Sequence, residues 1–283
     1  MALTTPGALG GEGADKKAAV ALAMNHFGVS EADLKKVLAA ALEKGGDYAA
    51  LFFEHTISNS IRLMDGAVNN SYSNIDYGVG VRVLTGDQSG YAYVENITVE
   101  DMLKAARTAA RIASANKGNK PLNLTEKELK KNYYTVASPW EEVSLKDKMP
   151  YLQKLNDRIF ALDKRVHKVQ ASQSDTTSHI FFCNSEGVMF YDYRPMVTLG
   201  AVCIMEEDGK TENGYAARAY RRGFDFLSDE VVDVIAREAV DQTSLLFKAI
   251  KPKGGEMPVV MGAGGSGILL HEAIGHTFEA DFN

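Results

Sequence analysis

The sequence predicts an α+β protein: two helix–antiparallel meander–helix units, followed by the start of a carboxy-terminal domain that carries one short helix rich in chemistry. Three observations predict it. Apolar residues recur at helical spacing over 30–45, at period two over 48–96, and at helical spacing again from Thr98. The same succession returns over 147–248. Asp65-Gly66, Gly86-Asp87 and Asp208-Gly209 fall between alternating runs, which is the punctuation of hairpins. Strands and helices do not alternate one for one, so a doubly wound parallel sheet is excluded.

Each element has a local reason. Residues 1–29 read as a disordered or short helical lead, because 1–13 are small, polar and glycine-rich. Lys16-Lys17 ahead of Ala18-Ala19-Val20-Ala21-Leu22-Ala23-Met24 faintly follows the order of a signal peptide. The apolar stretch is short and late for that, and a short helix is the better reading. Ser30-Glu31-Ala32-Asp33 forms a capping-box-like start for a helix carrying Leu34, Val37, Leu38, Ala41 and Leu42, stopped by Gly45-Gly46. Strands are expected at 49–55, 59–64, 77–84 and 90–95. Thr98 then caps a helix to about 114, whose many alanines predict close packing on the sheet.

These elements make an amino-terminal α+β domain over 30–115. A polar, lysine-rich linker with Pro121 and Pro139 follows over 116–142. A central α+β domain over 143–249 begins with a helix near 147–162, where Pro150 is tolerable in the first turn. It continues with strands at 168–174, 179–184, 188–193, 196–206 and 211–221 and a helix from Ser228 to about Lys248. The two units share their order of elements without any residue-level repeat. Residues 250–283 open a further domain, with a short strand at 257–261 before the last helix.

Composition narrows the function. A chain of 283 residues with 45% hydrophobic content can bury a sizeable core. A net charge of −6 argues against a nucleic-acid partner held through its phosphates. Two cysteines, Cys183 and Cys203, make no disulfide framework; they fit a reducing compartment, the cytoplasm by default, and read as buried small hydrophobes. No apolar run approaches the roughly 20 residues that span a bilayer.

The chemistry concentrates in the last eighteen residues. His271-Glu272-Ala273-Ile274-Gly275-His276 places two imidazoles and a carboxylate together, whereas His26, His55, His167 and His179 have no partner in sequence and read as structural or exposed. Histidines four apart sit roughly 40° from each other on a helix and can share a metal ion; five apart, they are splayed by roughly 140°. A π-bulge or a break restores a common face, so a widened or broken turn is expected between Ala273 and His276, with Gly275 giving way. The bland alternative is a helix whose histidines face solvent and core. Gly262-Ala263-Gly264-Gly265-Ser266-Gly267 satisfies G-x-G-x-x-G, but no acidic ribose partner follows within the chain. The glycines read instead as room for a close backbone approach.

The stretch from Gly262 to Asn283 resembles the TldD branch of the TldD/PmbA (TldE) family of HExxxH zinc metalloproteases. The resemblance extends to Asp76-Tyr77-Gly78-Val79-Gly80-Val81-Arg82-Val83 and Glu206-Glu207-Asp208-Gly209-Lys210. It implies that His271 and His276 ligate Zn²⁺ and that Glu272 is the catalytic carboxylate. It further implies a third ligand, a cysteine, beyond Asn283, so the chain is expected to be a truncated, inactive amino-terminal fragment. Unfolded or extended peptides are the implied substrates, and a TldE/PmbA-like paralogue lacking the motif is the implied heterodimer partner. The family's association with DNA gyrase finds no basic patch to support it here. A non-catalytic partner or scaffold subunit is the rival reading, and the intact motif speaks against it.

Overall fold

The computed structural model describes residues 16–113, 124–126 and 136–279. The first half of the expected lead, most of the 116–142 linker and the last four residues of the family-like terminus lie outside them. The chain divides into two compact units, Met1–Phe247 and Lys248–Asn283.

The first unit is α+β, as the periodicities require. Its helices are α1 (Lys16–Phe27), α2 (Glu31–Ala41), α3 (Val99–Ile112), α4 (Leu145–Leu162) and α5 (Asp229–Leu246). Its strands are β1 (Tyr48–Met64), β2 (Ala67–Thr85), β3 (Gln88–Val94), β4 (Thr125–Glu126), β5 (Val166–Asn184), β6 (Val188–Glu207) and β7 (Lys210–Tyr220). They form one seven-stranded sheet of order β3-β2-β1-β5-β6-β4, with β7 also on β6. All pairings are antiparallel except that of β4 with β6.

The strands are longer than expected. The polar runs around Ser58 and Ser174 read as interruptions, yet β1 and β5 pass straight through them. Each polar residue meets a polar partner across the ladder: Thr56 Oγ1 donates to Ser178 Oγ at 2.8 Å, Ser58 and Thr176 share a bond of 3.1 Å, and Asn59 Nδ2 donates to Asp175 Oδ1 at 3.0 Å. The two meanders are thereby joined into a single sheet.

Two apolar cores lie along this sheet. In one, Phe27, Leu34, Val37 and Leu38 pack with Leu51, Phe53, Val81 and Phe181. In the other, Leu152, Leu155, Ile159, Val232 and Ile235 pack with Ile61, Leu63, Val197 and Leu199. The alanine face of α3 does lie against the sheet: a Cβ on Gly90 would come within 2.0 Å of the Ala109 carbonyl oxygen. Helix starts fall where the capping residues place them. Ser30 accepts from the Asp33 N–H, Thr98 from that of Asp101, and Ser228 from that of Val231. Helix α4 begins at Leu145, two residues early, so Pro150 lies in the second turn rather than the first.

Among its described residues the second unit buries no side chain. The strand expected over 257–261 is absent: the segment pairs with no described strand, and Val260 is 97% exposed. Its apolar run has the composition of a strand but no ladder to join. Helix α6 (Ser266–Ala273) follows, then a 3-10 turn at Gly275–Phe278, and neither buries a residue.

Candidate metal centre

Gly264, at φ 120°, turns the chain sharply into α6, and Ser266 Oγ donates back to the Gly262 carbonyl. The helix runs regularly to Ala273. At Ile274 the backbone leaves helical geometry (φ −129°, ψ −40°), although its N–H still donates to the Leu270 carbonyl at 2.9 Å. The expected broken turn is therefore a helix end followed by a tighter 3-10 turn, not a π-bulge. Gly275 makes room for it. A Cβ there would lie 3.2 Å from Nδ1 of His271, so the imidazole rests against bare backbone.

The break changes where the side chains point. His271 and His276 have ring centroids 4.4 Å apart at an interplanar angle of 65°. One ligand atom from each of His271, Glu272 and His276 lies within 4.8 Å of the other two. Glu272 Oε2 is 3.4 Å from His276 Nε2, and Glu279 Oε1 is 2.7 Å from His276 Nδ1. Two imidazole nitrogens are donors that zinc accepts, so His271 and His276 fit that ion chemically, with the Glu272 carboxylate beside them. Neither cysteine has the character of a thiolate ligand. Both are buried in the sheet unit, and burial pushes the Cys183 thiol up to about 12 and that of Cys203 upward too.

A second gathering of histidines escaped the sequence reading. His26 on α1, His55 on β1 and His179 on β5 form a stack in the first unit, with His179 buried and the other two half-buried. His26 Nε2 lies 2.8 Å from His55 Nδ1, and the His26 and His179 rings stack at 4.8 Å. His179 completes a chain, with Nε2 at 2.9 Å from Glu141 Oε1 and Nδ1 at 2.7 Å from the Tyr191 hydroxyl. Tyr193 donates to the other Glu141 oxygen at 3.1 Å.

Burial, followed by the neighbouring His179 and His55, lowers the His26 pKa to about 4. Desolvation works against the Glu141 carboxylate. The hydrogen bond from His179, with its backbone and Tyr193 partners, still leaves it below the ordinary value. The ring nitrogens of His179 are both engaged, so this is an internal polar scaffold rather than a ligand set. The usable sequence signal was register: His55 and His179 are direct cross-strand partners.

Residues 138–247 match the family model described as the PmbA/TldA metallopeptidase central domain, and residues 49–113 match PmbA/TldA metallopeptidase domain 1. The chain belongs to the PmbA/TldD metallopeptidase family. A metalloprotease TldD homolog of Haemophilus influenzae is 35% identical over 247 residues, covering 84% of this chain and 50% of that protein. One from Buchnera aphidicola is 30% identical, over 92% of this chain and 55% of its own length. A zinc metalloprotease TldD homolog of Saccharolobus solfataricus is 23% identical, over 87% and 53%.

The chain spans about half the length of these relatives. Among solved structures, a candidate modulator of a DNA gyrase from Thermotoga maritima superposes with a TM-score of 0.62 at 18% identity, covering 80% of this chain and 50% of that one. TldE from Thermococcus kodakarensis gives 0.55 at 16%, over 75% and 47%. Both establish the fold alone.

Proposed function

We propose that this chain is the amino-terminal part of a zinc-dependent peptidase acting on unfolded or extended peptides, with residues 250–283 opening the domain that bears the site. The observation that carries the reading is the break at Ile274, which lets donors from His271, Glu272 and His276 converge in a member of a metallopeptidase family. His271 and His276 would hold the ion through neutral ring nitrogens, with a cysteine from a following segment as third ligand. Zinc, when bound, lowers the pKa of water to about 7 and polarises a carbonyl. Glu272 is exposed and beside both rings, placed to take the proton of the attacking water and return it to the leaving amine.

A TldE/PmbA-like paralogue is the proposed partner and the cytoplasm the proposed location; no helix among the described residues is long and apolar enough to cross a membrane. One other reading is compatible with the shared fold, a non-catalytic partner subunit. Elemental analysis of protein extended to the length of its relatives separates the two. One zinc per chain supports the peptidase, and none supports the scaffold. In that protein Glu272→Gln is expected to keep zinc and lose about 10²–10⁴-fold in turnover. Wild-type-like proteolysis by this variant would remove Glu272 from the role of base. Residues 1–283 alone, with two imidazoles, are expected to bind zinc weakly and to be inactive.

A further inference from the structure

We infer that Glu279 is a positioning residue for His276, fixing its ring so that Nε2 and not Nδ1 is offered toward Glu272. The inference takes its functional meaning from the zinc reading, but its geometry stands independently. His276 and Glu279 are three residues apart on the 3-10 turn Gly275–Phe278 and the residue that closes it. With three residues per turn, side chains at i and i+3 eclipse, so the turn itself stacks this carboxylate under this ring. On an uninterrupted α-helix the two would be offset by roughly 60°. The break at Ile274 therefore does two things at once: it gathers the imidazoles and supplies the second of them with a carboxylate.

The contact is specific. Glu279 Oε1 lies 2.7 Å from Nδ1, and the Glu279 N–H donates to the His276 carbonyl at 3.2 Å, so backbone and side chain clamp the same residue. The acceptor at Nδ1 fixes a proton there and leaves the lone pair of a neutral ring on Nε2, the nitrogen 3.4 Å from Glu272. Both side chains are more than two-fifths exposed, where an ion pair adds little to folding. The consequence of the bond lies in orientation. A carboxylate behind a metal-binding histidine sets its tautomer and ring angle.

Two measurements test this, and they fail separately. In residues 1–283, nitrogen-15 ring spectra are recorded about two pH units above the ordinary histidine value. They are expected to show the Nδ1–H tautomer predominating at His276, lost in Glu279→Ala and restored in Glu279→Gln, whose amide oxygen still accepts. An unchanged tautomer in Glu279→Ala overturns the inference, whatever zinc does. In protein of the relatives' length, chelator competition is expected to show zinc bound about 10–100-fold more weakly by Glu279→Ala than by wild type, with recovery in Glu279→Gln. Equal affinities for wild type and Glu279→Ala overturn the positioning role. Absence of zinc from the wild type instead defeats the peptidase reading, and the tautomer result then decides the inference alone.

Discussion

His26, His55 and His179 gather on the sheet unit, the His26 ring stacked on the other two. His271 and His276 sit on a helix and turn that bury nothing. The first three are held by packing; His26 and His55 share a bond through Nε2 and Nδ1, and both nitrogens of His179 are spent on Tyr191 and Glu141. The last two are held mainly by backbone geometry, a glycine and a broken turn; Glu279 takes Nδ1 of His276, and Nε2 of that ring stays free of any hydrogen bond among the described residues. An imidazole bonded through both ring nitrogens becomes part of the scaffold; one that keeps a nitrogen open stays free for chemistry. The same contrast runs through the acids, with Asp175 1% exposed in the polar belt of the sheet and Glu272 open to solvent.

The largest expected effect attacks the packed side of this contrast. Asp175 binds Lys148 Nζ at 2.5 Å and accepts from Asn59 and Gln173, all within the belt between the cores. Asp175→Ala strands a buried ammonium and is expected to cost about 3–5 kcal/mol by urea unfolding. A loss under about 1 kcal/mol would mean that the belt is wet and the contrast false. Next comes Glu141→Ala, which strips the partner from His179 Nε2. Its expected cost is about 1–3 kcal/mol.

A third expectation sharpens the comparison through pH. The unfolded chain protonates His26 near 6.5, but the folded one does so only near 4. The unfolded state binds more protons between those values, so this contribution is complete above pH 6.5 and is lost as pH falls toward 4. Discounted for the solvent that reaches the ring, it amounts to about 1–2 kcal/mol. His26→Phe should flatten this part of the stability profile; an unaltered slope would show that the stack does not titrate there. The smallest effect belongs to the exposed pair. His271→Ala and His276→Ala should each leave unfolding free energy within about 0.5 kcal/mol of wild type, while abolishing zinc binding in the longer protein.

Much of the fold was legible because its signals are local. Ser30, Thr98 and Ser228 announce helix starts, and Asp65-Gly66 and Asp208-Gly209 announce hairpins, wherever the rest of the chain goes. Strand ends were not legible at Ser58 or Ser174, since a polar run continues a ladder only when its partner is polar too. The 257–261 run failed in the opposite sense, with strand composition and no neighbour.

At the candidate site, the His-Glu-x-x-x-His spacing demanded a disturbed turn, and Gly275 marked where. Glu279 went unread because three residues apart is a close pairing only once the turn is known to be 3-10. The histidine stack was invisible for a plainer reason: its members come from positions 26, 55 and 179, and only the pairing of β1 with β5 brings two of them together.

That pairing runs unbroken from Ala50 to Met64 against Asn184 to Gln170, through both apolar cores. Neither half of the sheet can melt without unzipping the backbone of the other. Heat or denaturant should therefore meet one cooperative body, and slow amide exchange should extend across the serine- and threonine-rich middle as well as the greasy ends.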